Sequence, residues 1–177
     1  TLDRKAENYG LSLILGGAEC KLWDLCNMYG GMASILRHYS ECDGAGFDHE
    51  FRRLRVWGDE VTDSTVIRQN VVTASAVWLT LKALQDVERP DLESGWKNFA
   101  SSMNLSWKTG TSFGFRDAWA VGVNPEYVVG VGVGNADGEG RPGLIGVRAA
   151  APILFEVASL LRTDERFYMP REEMVEM

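Results

Sequence analysis

Apolar residues recur at helical spacing twice in the first half of the chain. Leu22, Trp23, Leu25, Cys26, Tyr29, Met32, Ala33 and Leu36 predict a helix from about Glu19 to Tyr39, relaxed at Gly30-Gly31. Ala74, Val77, Trp78, Leu81 and Leu84 share a second helical face. That helix opens at Thr73 and is stopped by Pro90, which has no amide hydrogen to donate. Between them, Phe51 to Trp57 and Thr65 to Arg68 read as the arms of a small hairpin. After Leu105 the period changes. Leu105 to Thr111, Ala118 to Val123 and Tyr127 to Val133 are short strand-like runs, and links this short favour an antiparallel meander. Gly130, Gly132 and Gly134 fall on one strand face, where another element must lie close to the backbone. A last helix is expected from about Val147 to Leu161, followed by a polar tail containing Pro170. Helices, then a meander, then a helix give an α+β domain.

Composition narrows the classes. The chain has 177 residues, 45% of them hydrophobic and 24% charged, an ordinary globular balance. Its net charge of −7 argues against an extended nucleic-acid footprint. The most apolar stretch, Gly143 to Leu161, is interrupted by Arg148, Pro152 and Glu156, so it reads as a buried helix rather than a membrane span. Cys20, Cys26 and Cys42 form no CxxC pair and have no histidine at zinc-binding spacing, so no metal and no cofactor is expected. They read as buried or idle thiols, with a bridge open to them in an oxidising compartment. On a helix from Glu19, Cys20 and Cys26 would sit about 9 Å apart, too far for a disulfide. The Gly-x-Gly-x-Gly run at Gly130 is not a dinucleotide fingerprint, because a loop and not a helix follows it.

The motif that carries chemistry is Lys108-Thr109-Gly110-Thr111-Ser112, on the first strand of the meander. The segment Trp107 to Gly122 resembles the KTGTS strand and hairpin of class A penicillin-binding proteins, in particular the 1C group. Two further stretches agree. Tyr9 to Glu19 is similar to that family's Gly-Leu-Ser-x-x-Leu-Gly-Gly-x-Glu segment, and Val128 to Gly138 to its Val-Gly-Asn-x-Asp-Gly strand end. The likeness spans most of Tyr9 to Leu161.

The resemblance implies a serine transpeptidase/β-lactamase-like fold, with residues 1–162 as the C-terminal half of the transpeptidase domain and 163–177 as a tail or linker. It implies an enzyme that cleaves acyl-D-Ala-D-Ala through a serine ester, cross-links peptidoglycan stem peptides and is trapped by β-lactams. The substrate ends in a carboxylate, which calls for a fixed cation and hydroxyl donors. Lys108 would be the cation and proton shuttle. Thr109 and Thr111 would donate hydroxyls, Ser112 would join the substrate cradle, and side-chain-free Gly110 would let the strand lie against the ligand. The Thr111 amide would be one arm of the oxyanion hole. The family also needs Ser-x-x-Lys and Ser-x-Asn motifs.

Ser94-Gly95-Trp96-Lys97 and Ser102-Met103-Asn104 fit those patterns, but we reject both. In the family these motifs come from distant segments, with the serine opening a buried helix. Here everything falls between Ser94 and Gly110, and Gly95 weakens any helix. The serine therefore belongs upstream, in the other half of the same domain. The parent is expected to be a peptidoglycan glycosyltransferase as well, on the periplasmic or extracytoplasmic face and anchored to the inner membrane by an upstream helix. No membrane contact is expected from this segment. Alternatives are a D,D-carboxypeptidase or β-lactamase-like hydrolase, and a non-catalytic docking module.

Overall fold

The computed structural model describes residues 10–11, 19–42, 50–52, 66–68, 72–85, 104–161 and 163–174. The Ser94–Lys97 stretch, Ser102 and Met103 lie outside them, as does most of the Tyr9–Glu19 segment. The elements run α1 (Leu22–Glu41), β1 (Glu50–Arg52), β2 (Val66–Arg68), α2 (Ala74–Gln85), β3 (Ser106–Thr111), β4 (Asp117–Val123), β5 (Val128–Gly134), α3 (Gly146–Ala149) and α4 (Ala151–Leu160). A 3-10 turn follows at Arg171–Glu173. β1 and β2 form a small antiparallel pair, and β3-β4-β5 an antiparallel three-stranded sheet in sequence order. This is an α+β fold.

Each helix boundary has a local cause. Thr73 caps α2: its hydroxyl accepts the Ala76 amide at 3.2 Å, and its carbonyl the Val77 amide at 3.1 Å. α1 runs without a break through Gly30-Gly31, which was expected to relax; Gly31 is on its buried face. α1 begins at Leu22, so Cys20 lies outside it and helical spacing does not set the Cys20–Cys26 separation. All three cysteines are free thiols. The expected single helix over Val147–Leu161 is two pieces meeting at Ala150. Pro152 cannot donate to the Arg148 carbonyl, so a continuous helix would lose a bond there. Pro152 instead sits in the first turn of α4, where no donor is needed.

The sheet is buried on both faces. Side chains alternate along a strand, and the registers Lys108↔Val121 and Val121↔Gly130 fix the partition. Ser106, Lys108, Gly110, Val121, Val123 and Gly130 share one face. There Val123 joins Leu36, Tyr39, Val77 and Leu81 of α1 and α2 in one core. Trp107, Thr109, Thr111 and Ala120 share the other. There Trp107 meets Phe155 of α4 edge-to-face, with centroids 4.9 Å apart, beside Leu154 and Ala158. Buried Ser106 donates to the Leu81 carbonyl at 2.8 Å and so ties the start of β3 to α2.

The glycine face of β5 is covered by α1. A Cβ on Gly130 would overlap Cys26 Sγ and lie 3.3 Å from Leu22 Cδ1, and one on Gly132 would meet Leu22 at 3.4 Å. Partial burial also pushes the Cys26 thiol pKa up. Close approach on this face was expected from the glycines, and α1 supplies it. Gly130→Ala is accordingly expected to cost about 1–3 kcal/mol through overpacking, with part of that recovered by adding Cys26→Ala. Urea unfolding followed by tryptophan fluorescence reads both values, and an unshifted midpoint in the single variant would contradict this packing.

The polar C-terminal segment runs back over the helices. Tyr39 donates to the Glu172 carboxylate at 3.3 Å, the Ser75 amide donates to Glu173 at 3.1 Å, and Pro170 is buried. Burial, reinforced by Glu172 and Glu173, pushes the Tyr39 phenol above its ordinary pKa. No helix among the described residues is long and apolar enough to cross a membrane.

Candidate functional site

Among the described residues only β4 pairs with β3, which places β3 at the edge of the sheet. In an antiparallel pair, opposed residues alternate between those that exchange hydrogen bonds and those that do not. The Ser112 amide donates to the Asp117 carbonyl at 2.9 Å, so Ser112 and Asp117 are a bonded pair. Counting back along the register, Gly110↔Trp119 and Lys108↔Val121 are bonded, whereas Thr111↔Ala118 and Thr109↔Ala120 are not. Thr109 and Thr111 therefore turn their peptide N–H and C=O groups away from β4, along the outer edge of the sheet.

The side chain of Lys108 reaches the same edge. Its ammonium donates to the carbonyl oxygen of Thr109, one of the outward groups. This places a cation beside the outward amide of Thr111. Lys108, Gly110 and Thr111 are all exposed. A Cβ built on Gly110 meets no atom within 4 Å, so the strand is open there. Thr109 and Thr111 present their side chains on the α3–α4 face, and Lys108 its own on the opposite one. The Lys108 ammonium and the outward peptide groups of Thr109 and Thr111 thus meet on one edge, not on one face.

The neighbours of the motif are set by two turns. Ser112 Oγ accepts the Asp117 amide at 2.7 Å, and the Ser112 carbonyl accepts the Phe115 amide at 3.1 Å. Ser112 thereby closes the β3–β4 hairpin, and its hydroxyl hydrogen remains able to donate. Phe113 at the tip is fully exposed, and Gly114 and Phe115 both have positive φ, 76° and 57°. On the other side, the Gly146 amide donates to Thr111 Oγ1 at 3.0 Å, docking the start of α3 against the end of β3. Gly146 was not singled out in the sequence. A glycine at a helix start is a weak signal, and its partner lies 35 residues earlier.

An edge that carries an ammonium, an outward amide and hydroxyl hydrogens can hold a carboxylate, or an oxyanion forming on a carbonyl. No group of three or more His, Cys, Asp or Glu residues suited to a metal occurs among the described residues. A cavity of about 390 Å³ lies at the other end of the sheet, between the β4–β5 turn at Tyr127, α1 and residues 165–168. Its lining includes Arg37, Arg166 and Ser40 but no residue of the 108–112 motif.

Comparison with known proteins agrees with the motif. The chain is 36% identical over 151 residues to penicillin-binding protein 1C of Escherichia coli (strain K12), a match covering 85% of this chain and 17% of that protein. Over that stretch it is similar to a class A penicillin-binding protein of the 1C type. A second relative, penicillin-binding protein 1B of Buchnera aphidicola subsp. Baizongia pistaciae (strain Bp), is 36% identical over 66 residues, covering 37% of this chain and 9% of that protein. The chain thus spans well under a fifth of the length of either relative. No protein-family model and no solved structure matches it. The resemblance expected from the sequence thus extends over most of the chain.

Proposed function

We propose that this chain supplies the substrate-cradling edge of a peptidoglycan D,D-transpeptidase, within the C-terminal half of a domain of the serine transpeptidase/β-lactamase-like fold. The observation that supports this reading is the Lys108 ammonium on the outward Thr109 carbonyl, along the same edge of β3 as the outward Thr111 amide, with the threonine side chains on the adjoining α3–α4 face. An extended stem peptide ending in D-Ala-D-Ala lies along that edge over Gly110, with its carboxylate met by the hydroxyls and Lys108. A serine from an upstream segment attacks the carbonyl of the penultimate D-Ala. The Thr111 amide donates to the oxyanion that forms, a contribution of about 3 kcal/mol per donor. The C–N bond breaks, and the terminal D-Ala leaves as an amine after taking up a proton. An amine on a neighbouring strand then attacks the ester and releases the serine. β-Lactams enter the same site and stay on it.

In this reading residues 1–162 belong to the transpeptidase domain and 163–177 lead out of it. The parent also polymerises glycan strands and works outside the cytoplasmic membrane, held there by an upstream helix. The full-length protein, given a pentapeptide donor and an amine acceptor, is expected to release D-Ala and form the cross-linked product. Release of D-Ala with water as the sole acceptor would make it a carboxypeptidase-like hydrolase. Failure to react with either donor or penicillin would leave a docking module.

A further inference from the structure

Thr111, an exposed residue, ends β3. A threonine hydroxyl has one hydrogen to donate and lone pairs to accept, and on an open edge its rotor is otherwise unconstrained. The Gly146 amide settles that choice. The chain enters α3 from an extended Ile145, with φ −121° and ψ 144°, and no side chain caps the helix. Amides of a first helical turn have no acceptor within the helix. Gly146 N–H finds one in Thr111 Oγ1, at 3.0 Å. A hydroxyl that accepts from this side must point its own hydrogen elsewhere.

The residue at 146 is a glycine for reasons of contact. It is not among the positive-φ glycines, so an alanine could adopt its backbone. A Cβ there, however, would lie 2.5 Å from the Gly110 carbonyl oxygen, 2.7 Å from that of Trp119 and 3.0 Å from Thr109 Cβ. The first two are ladder atoms of β3 and β4 and cannot yield without loosening the strand pair. Any side chain at 146 must push α3 off the strand and stretch the bond to Thr111.

We infer that Gly146 is a positioning residue for the carboxylate cradle: its amide holds Thr111 Oγ1 as an acceptor and so commits the Thr111 hydroxyl hydrogen to the ligand carboxylate. This deepens the reading of β3 as a cradle and rests on it. Gly146 touches no substrate; it acts through Thr111.

The test uses the full-length protein and two compounds, a penicillin with its free carboxylate and the same penicillin as its neutral methyl ester. The second-order acylation rate is measured for each, and the ratio of the two is the readout. The native protein is expected to prefer the carboxylate. In Gly146→Ala that preference falls about tenfold or more, as for a lost hydrogen bond to a charged group, while the ester rate changes little. Thr111→Val produces the same fall, Thr111→Ser restores it, and adding Gly146→Ala to Thr111→Val brings no further loss. Should Gly146→Ala fail to fold, glycolic acid incorporated at 146 replaces the amide with an ester and removes the N–H without adding an atom; the same loss of preference is expected. A preference retained in these variants, or both rates falling together, overturns the role of Gly146. A native protein that reacts with neither compound, or shows no preference for the carboxylate, overturns the cradle reading itself.

Discussion

Lys108→Ala in the full-length protein is expected to slow acylation by a fluorescent penicillin about 100-fold or more, the scale of losing a positioned proton-transfer and electrostatic group. The ammonium bends over the outer edge onto the Thr109 carbonyl, alongside the outward Thr111 amide. Without it the edge keeps its hydroxyls and amide but loses its cation. The side chain is exposed, so thermal stability should change little. Ser94→Ala and Lys97→Ala are expected to leave the rate within about twofold, because neither residue belongs to the proposed site and its loss removes no transition-state contact. Time courses of in-gel fluorescence read all three rates, with a melting curve for each variant. Loss of labelling in Ser94→Ala with the fold intact would place the nucleophile in this chain.

The elements were readable because burial imposes a period. Leu36, Val77 and Leu81 lie on the buried faces of α1 and α2, where spacing had put them. The three strands of the meander were found within a residue or so of their bounds. The division at Ala150 was missed although its cause, Pro152, was in view. An apolar run with a proline two residues into its second turn looks continuous to any count of hydrophobic spacing. What covers a face was harder still. The glycines of β5 announce a close neighbour but not which one; α1 supplies it through Leu22 and Cys26.

The site divides in the same way. Lys108 to Ser112 could be picked out because contiguous residues carry the chemistry. That the Lys108 ammonium and the outward peptide groups meet on an edge needs the register, since Ser112 and Asp117 decide which amides of β3 face outward. Gly146 could not be read at all. Its role depends on a contact across 35 residues and on the absence of a side chain.

The second large effect concerns where the acyl group lands. In the proposed reading the β3 edge supplies a carboxylate cradle and one oxyanion donor, and among the described residues no serine stands next to Lys108 at the start of a buried helix. Ser106 is committed to the Leu81 carbonyl, and Ser112 closes the hairpin. Loss of a nucleophile costs several orders of magnitude, and a cradle alone forms no stable ester. The 177-residue chain by itself should therefore remain unlabelled by radioactive penicillin, and an upstream segment added in trans should take up the label on itself. The most direct measurement is to acylate the full-length protein to completion, digest it, and locate the penicilloyl group by mass spectrometry. The account predicts a single adduct on a serine N-terminal to Thr1. An adduct on Ser94, Ser102 or any other serine of this chain would contradict it.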